Sequence, residues 1–264
     1  MSGRKVLVVE LDGKPTLDEL LPPRDGHDLT VVHLSAPDAL EEYLEDHGFK
    51  RIAKRLNRTG VIDMVGTAAP GIDDVVVLGK IKQFERSGDQ DLVIVDGPAA
   101  GHAVTFLTSA SGLSRAARGG PVKSQADDVL ELLADPDRCV AVLVTLPETT
   151  PVNETVETAF ALEEVVGIGL GPVVVNALDD GTPLPAADEV ESALADVDEQ
   201  RADPLRRAAS FRRARRDMQA EALERLGERL PLAQVHLPSI PVAGLDADDI
   251  DALAATLSDP DVPA

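Results

Sequence analysis

Short apolar runs alternate with longer segments of helical periodicity along most of the chain. The apolar runs end in polar turns with Gly or Pro and predict buried strands over residues 5–11, 91–95, 140–146, 173–175 and 233–237, with an edge strand over 28–34. The segments between them predict helices over residues 36–56, 70–86, 125–134, 153–165, 204–230 and 247–257. Strands that alternate with helices are typical of a parallel α/β sheet.

Composition and charge narrow the possible partners. The formal net charge of -22 repels nucleic-acid phosphates and anionic lipid headgroups, so we expect no nucleic-acid partner. No apolar stretch approaches the roughly 20 residues of a spanning helix, so we expect no stable membrane insertion. Cys139 is the only cysteine, which excludes an intrachain disulfide and indicates a reducing cytoplasm.

Acidic residues follow two of the predicted strands. Asp96 ends the run that starts at Asp91, and a Gly-Pro-Ala-Ala-Gly loop follows it. Asp12 follows the first strand, so we expect both carboxylates at the carboxyl edge of the sheet, where ligands of open α/β sheets bind. In phosphoryl transfer, one such carboxylate orients the attacking water and the other holds the magnesium shell. The alternatives are an ordinary strand end at Asp96 and a helix cap at Asp12.

Two other strand ends carry polar residues. Asn176 follows the fourth strand, and its amide can both donate to and accept from the edge of an adenine; a local Asx-turn is the alternative. The third strand is followed by Pro147 and Glu148, and the Thr-Thr-Pro sequence after them is typical of a turn.

The one dense basic run lies in the predicted helix over residues 204–230. Aromatic partners for bases are absent there apart from Phe211, which favours a solvated helix with internal ion pairs over a nucleic-acid site. The basic residues are Arg206, Arg207, Arg212, Arg213, Arg215 and Arg216.

The order of these pieces resembles the ArsA/GET family of anion-transporting and tail-anchored-protein-targeting ATPases, in its actinobacterial ArsA-like branch. The resemblance covers nearly the whole chain. It is carried by VVELDGKPTL (8–17), LGKIKQFE (78–85), DLVIVDGPAAGHAVTFL (91–107), VTLPETTPVNETVE (144–157), GPVVVN (171–176) and LPSIPVAGL (237–245). It implies a single domain over residues 1–264 with a doubly wound, P-loop NTPase-like sheet and helical insertions near 36–86 and 103–138.

The resemblance also implies a set of site residues and the cofactors ATP and Mg²⁺. Asp12 corresponds to the water-activating aspartate of switch I. Switch II corresponds to Asp96, Gly101 and His102, with Asp96 reaching the metal through water. The nucleotide-binding positions are Asn176, which reads the adenine, Pro241 and Val242, which pack against the base, and Pro147 and Glu148.

Several family features differ or are missing. The usual switch I sequence Asp-Pro-Ala-His is Asp-Gly-Lys-Pro here, and Asp-Thr-Ala-Pro-Thr-Gly-His in switch II is Asp-Gly-Pro-Ala-Ala-Gly-His. The Cys-x-x-Cys zinc pair, the cysteine trio that binds metalloids and the Met-rich groove for membrane segments are absent. With Cys139 as the only thiol, we do not expect a metalloid pump.

The largest departure concerns the phosphate-binding loop. This class of fold needs a strand, a Gly-rich loop and a helix whose backbone N–H groups cradle phosphate. The 264 residues contain no such motif. We therefore expect that the central P-loop strand and its helix, which in the family precede the strand at Lys5, were lost through a misplaced start codon or a deletion.

Two functions follow from this comparison. The first is an ArsA-like ATPase that couples nucleotide state to dimer conformation but is inactive as this chain, because it lacks the loop. The second is a non-catalytic, degenerate partner subunit of an intact ArsA-like paralogue. The resemblance implies a homodimer or such a heterodimer, with the helices of residues 103–138 as the surface for an unknown client.

Overall fold

The computed structural model describes residues 3–11, 17, 20–22, 26, 28–46, 48 and 71–257. The chain forms two compact units, one of Met1–Ala141 with Phe160–Gly169 and one of Val142–Ala159 with Leu170–Ala264. Parallel strands and helices alternate in both units, so the predicted α/β class is confirmed. A single ArsA-like domain over the whole chain stays a prediction. None of the helices in the described residues has the length and apolarity needed to cross a bilayer.

The first unit is built on a three-stranded parallel sheet in the order β2-β1-β3. In the central strand, Leu7, Val8 and Val9 are buried, as expected for a parallel strand covered on both faces. The strands are β1 (Val6–Glu10), β2 (Leu29–His33) and β3 (Leu92–Asp96), and the helices are α1 (Ala36–Asp46), α2 (Ile72–Ser87), α3 (Ala100–Ala116) and α4 (Pro121–Leu133).

Helix α2 holds the first unit together. Its residues Val76 and Val77 join Leu7 and Val9 of β1 in one apolar core. On α2, Lys82 is only 5% exposed, and its ammonium group donates to Asp128 of α4 at 2.8 Å. Burying this lysine is tolerated because the carboxylate compensates its charge.

The second unit contains a three-stranded parallel sheet in the order β5-β7-β8. Val173 and Val175 of the central strand pack against Val156 and Leu226 of the helices. The strands are β5 (Val144–Thr145), β7 (Val173–Leu178) and β8 (Gln234–Pro238), and the helices are α5 (Thr149–Ala161), α6 (Ala187–Leu194), α7 (Glu199–Arg229) and α8 (Ala247–Leu257). A short ladder joins β4 (Val140–Ala141) to β6 (Gly169–Leu170).

Arginines of the basic run on α7 form hydrogen bonds with the polar segment that precedes this helix. Arg212 donates two hydrogen bonds of 2.7 Å to the carboxylate of Asp179, and Arg213 donates to the Pro185 carbonyl at 2.8 Å. Arg207 pairs with Asp203 one turn earlier on α7, at 2.8 Å. The predicted ion pairs inside the helix are therefore present, and other arginines of the run hold residues 179–185 against it.

Several predicted boundaries are wrong. The strand predicted over residues 140–146 is two short strands, β4 and β5, because each pairs with a different neighbour. The strand predicted to end at residue 175 continues to Leu178, so Asn176 lies within β7 rather than after it. Helix α7 begins at Glu199 instead of residue 204, because the Asp198 carboxylate caps it by accepting from Gln200 N at 2.8 Å.

Two further helices were not predicted by periodicity. Helix α3 follows the loop after β3, and α6 lies inside the polar excursion over residues 179–203. The helix predicted over residues 36–56 is observed as α1 up to Asp46, and its remainder falls on residues 47 and 49–56, outside the described residues.

Candidate functional site

Three polar residues end the strands of the first sheet in the same register. Glu10 of β1 is paired with His33 of β2 on one side and with Asp96 of β3 on the other. The three residues therefore form one row at the carboxyl edge of a parallel sheet, where ligands of open α/β sheets bind. Asp96 is exposed, and within the described residues nothing forms a hydrogen bond or an ion pair with its carboxylate. Asp96 is thus free to bind a ligand.

The segment after Asp96 leads into the N-terminus of α3. Ala99 is the N-cap, no side chain caps the helix, and its first turn carries no acidic residue. The N–H groups of His102 and Ala103 donate to the Ala99 carbonyl at 2.8 and 3.0 Å, which leaves the N–H groups at the first two positions without intrahelical acceptors. Gly101 and His102 are exposed. An uncapped helix start beside a strand-end carboxylate suits a phosphate with its metal ion.

Glu10 is the residue that sequence reasoning missed. Its side chain is only 2% exposed, its Oε2 lies 2.7 Å from His33 Nδ1, and its Oε1 accepts from the Leu17 backbone N–H at 3.2 Å. The carboxylate thereby fixes the far end of the segment that contains Asp12. In the sequence, the only indication of this buried role was the position of an acidic residue within an apolar strand. Asp12 itself lies outside the described residues, so its catalytic role stays a prediction.

The second unit brings together three segments that the sequence singled out. Pro147 and Glu148 follow β5, Asn176 lies in β7, and Pro241 with Val242 follow β8. Because β5, β7 and β8 are parallel neighbours, their carboxyl ends lie along one edge of that sheet. Val242 is 52% exposed and Pro147 is buried. The edge thus combines an exposed apolar surface with polar groups.

Asn176 marks an irregularity in β7. Its Oδ1 accepts from the Ala177 N–H at 2.9 Å, and Ala177 has a left-handed backbone with φ of 61°. The ladder between β7 and β8 is interrupted between Val175 and Leu178. The side-chain carbonyl of Asn176 is therefore used locally, although it accepts from the next residue and not from the second residue on, as an Asx-turn would require; its NH₂ group has no partner among the described residues.

Elsewhere, Asp179 is engaged in an ion pair with Arg212, and Cys139 is a partly buried free thiol. Hydrogen bonds and charge from Arg212 hold the pKa of Asp179 below its usual value against the opposing effect of desolvation. Burial raises the pKa of the Cys139 thiol, which favours its unreactive protonated form. No group of three or more His, Cys, Asp or Glu residues able to hold a metal ion occurs in the described part of the chain.

Comparisons with known proteins relate the chain to ATPases. Residues 3–119 match the family described as anion-transporting ATPase. The chain is 36% identical over 196 residues to the ATPase BagA of Mycobacterium tuberculosis, which covers 66% of this chain and 56% of that protein. It is also 26% identical over 163 residues to the arsenical pump-driving ATPase of Escherichia coli, covering 60% of this chain and 28% of that protein.

A third relative has the same name as the protein of Escherichia coli. The arsenical pump-driving ATPase of Acidiphilium multivorum is 28% identical over 161 residues, which cover 59% of this chain and 27% of that protein. The chain thus spans little more than half the length of its mycobacterial relative, and less than a third of the length of the two named pump ATPases.

Proposed function

We propose that the chain, whose residues 3–119 match the anion-transporting ATPase family, is an ATP-binding subunit of an ArsA-like ATPase whose nucleotide state sets the conformation of a dimer. The observation that supports this proposal most directly is the exposed Asp96 carboxylate at the end of β3, which has no partner among the described residues and is followed by the uncapped start of α3. Nucleotide hydrolases use such a segment to sense a γ-phosphate, because a carboxylate and free N–H groups meet there.

In this proposal each switch residue has a separate task. Asp96 orients a water of the magnesium shell, while the free N–H groups at the start of α3, Gly101 included, approach the phosphate. Asp12 orients the attacking water, and Glu10 keeps the segment that carries Asp12 attached to β1 through Leu17. Mg²⁺ bound with ATP supplies charge neutralisation at the phosphates.

The edge of the second sheet is proposed to bind the base. The NH₂ group of Asn176 donates to a ring nitrogen of adenine, and the exposed surface of Pro241 and Val242 packs against the ring. Pro147 and Glu148 shape the loop beside them. Adenine recognition by one remaining amide donor is weak, so apolar contact supplies much of the affinity for the base.

The lack of a Gly-rich loop in the 264 residues limits what the chain does alone. Without the loop's backbone N–H groups and its lysine, the β- and γ-phosphates lose most of their ligands. We therefore propose that this polypeptide by itself binds ATP poorly and turns it over very slowly, and that efficient hydrolysis needs a phosphate-binding loop from an additional segment.

A second candidate function is a non-catalytic partner of an intact ArsA-like paralogue in a heterodimer. The absence of the loop motif from the sequence favours it. In either case we propose a cytoplasmic location and a client, still to be identified, that is contacted by the helices of residues 103–138. The two functions differ in whether Asp96 has a role in turnover.

The test measures phosphate release and binding of a fluorescent ATP analogue. The chain is assayed alone, joined to the P-loop segment of an intact relative, and mixed with that relative. If it is an ATPase subunit, the joined chain hydrolyses ATP, and Asp96→Asn or Asp12→Asn lowers turnover by about 100-fold or more. Asp12→Asn leaves binding intact, and Asp89→Asn, an exposed acid before β3, leaves both unchanged.

Two results would contradict the ATPase proposal. One is a joined chain that binds no nucleotide although it is folded. The other is a mixture with the intact relative whose turnover is the same with wild-type chain and with Asp96→Asn. The second result would support the partner function instead.

A further inference from the structure

A cavity of about 340 Å³ lies in the first unit, beyond the ends of β1 and β2 and between α2 and α3. Its apolar lining includes Leu11, Leu34, Val77 and Phe106. This size falls within the usual range for small-molecule sites, which are lined mainly by apolar side chains with a few polar groups. None of these four residues belongs to the candidate nucleotide site.

Two carboxylates also line this cavity. Asp73 and Asp74 lie in the first turn of α2, after Gly71, whose left-handed φ of 88° starts the helix. Both side chains are partly buried, and no cation of the described residues pairs with either of them. Burial raises the pKa of Asp74, and the charge of Asp73 raises it further. Among the described residues, no lysine or arginine lines the cavity.

The lining therefore combines an apolar volume with two carboxylates that have no positive partner among the described residues. We propose that this cavity binds a small organic cation with an apolar body, of the class of primary and secondary alkylammonium ions. The alkyl part fills the space between Val77 and Phe106, and the ammonium group donates to Asp73 and Asp74. A hydrogen bond between charged partners is stronger than a neutral one, so the cation is preferred over an alcohol of the same length.

The same cavity is lined by Pro98 and His102. Both belong to the segment between Asp96 and the first turn of α3, to which the proposed function assigns phosphate sensing. A ligand that contacts this segment favours one of its conformations, and by linkage nucleotide and cation then change each other's affinity equally. This coupling rests on the proposed function, whereas binding of the cation does not.

The test is a titration of the whole chain with hexylammonium chloride, followed by the NMR signals of the histidine ring protons. The chain has five histidines, and His102→Gln identifies the signal of His102. We expect a saturable shift of the His102 signal with hexylammonium. We expect affinity about tenfold weaker for 1-hexanol, the factor that corresponds to 1.4 kcal/mol, and no binding of hexanoate.

Substitution of the acids tests the assignment of the charge. Asp73→Asn/Asp74→Asn is expected to weaken hexylammonium binding by about tenfold and to leave 1-hexanol binding unchanged. Asp248→Asn is the matched control, because it removes one of two adjacent aspartates in the first turn of α8, outside the cavity. If the double variant does not fold, the single variant Asp73→Asn is used, with a smaller loss expected.

Three outcomes would overturn the proposal. They are equal affinities for hexylammonium and 1-hexanol, unchanged hexylammonium affinity in the folded acid variants, and shifts confined to histidines other than His102. None of them depends on ATP. An inactive ATPase that still binds hexylammonium at His102 would therefore contradict the proposed function and leave the cavity assignment intact.

Discussion

Glu10 and Asp96 are both acids at the ends of adjacent strands, yet their surroundings differ. Glu10 is almost fully buried against His33 and the Leu17 backbone, whereas Asp96 is exposed and has no partner among the described residues. A buried carboxylate needs such partners because its desolvation is costly. We infer that Glu10 supports the structure of the edge and that Asp96 is available for a ligand.

Substitution of Glu10 tests this structural role. In Glu10→Gln, the amide NH₂ replaces one of the two oxygens that face His33 and the Leu17 N–H, so one buried contact is lost. We expect the free energy of unfolding in urea to fall by about 1 to 3 kcal/mol. Asp28→Asn, an exposed acid just before β2, should change it by less than about 0.5 kcal/mol. Equal small effects of both substitutions would argue against a structural role.

Asp179 supplies a prediction about pH. Hydrogen bonds and charge from Arg212 lower its pKa in the folded chain. A carboxylate with a lowered pKa stabilises the fold above its ordinary pKa of about 3.9, and the contribution disappears as the pH falls through the lower folded value. Asp179→Asn should therefore lower the thermal midpoint at pH 7 by about 2 °C or more. The difference from wild type should close as the pH falls below about 3.9 and through the lower folded pKa.

The control for this experiment is Asp180→Asn, which changes the exposed neighbour of Asp179. Its thermal midpoint should follow that of the wild type at every pH. A difference between Asp179→Asn and wild type that persists unchanged at low pH would show that the carboxylate charge is not its cause.

Gly79 and Gly112 both lie in the interior of a helix, α2 and α3 respectively, but they have different neighbours. A Cβ atom at Gly79 would lie 1.5 Å from Gln125 Nε2 of α4, whereas a Cβ at Gly112 would meet nothing within 4 Å. Gln125 also accepts a 3.4 Å hydrogen bond from Lys82. Close packing of α2 against α4 therefore explains the glycine at position 79, and nothing in the structure explains the one at position 112.

We expect substitution by alanine to have opposite effects on stability at these two glycines. Gly112→Ala should stabilise the chain by about 0.5 to 1 kcal/mol, because alanine has the higher helix propensity. Gly79→Ala should destabilise it by about 1 to 2 kcal/mol, because the overpacked methyl group displaces Gln125. In a Gln125→Ala background the cost of Gly79→Ala should fall by about 1 kcal/mol or more. Urea denaturation of the four variants measures these effects, and equal costs in both backgrounds would exclude the contact with Gln125 as the cause.

The charge of the whole chain affects its stability as well as its partners. Forty-seven acidic residues face 25 basic ones, and the formal net charge is -22. Repulsion among like charges destabilises a compact chain. At physiological ionic strength, salt largely screens this repulsion between charges more than roughly 8 Å apart. The ion pairs of the described residues neutralise only some of the acidic side chains.

Salt should therefore raise the stability of the folded chain. Between 0.01 and 0.5 M NaCl, we expect the thermal midpoint at pH 7 to rise by about 3 °C or more, since the Debye length falls from about 30 Å to a few ångströms. At a pH near the sequence pI of about 4.5, the same increase in salt should have little effect. A midpoint that falls with salt at pH 7 would indicate that ion pairs such as Arg212–Asp179 outweigh the general repulsion.

The sequence alone determined the alternation of strands and helices, because burial of parallel strands requires near-continuous apolar runs that remain visible in the chain. It also located Asp96, Pro147, Asn176 and Val242 near strand ends, since turn residues follow those runs. It missed the division of residues 140–146 into two strands, because pairing with different neighbours leaves no local signal.

Only the tertiary structure decided which polar groups meet. The register of β1 places Glu10 beside Asp96, and the side-chain oxygen of Asn176 accepts a hydrogen bond from the Ala177 backbone N–H. Asp73 and Asp74 of α2 line one cavity with Phe106 of α3, although they are far apart in sequence. Such groupings depend on how strands and helices pack in three dimensions. The pattern along the chain specifies each element, but long-range packing selects the partners of each side chain.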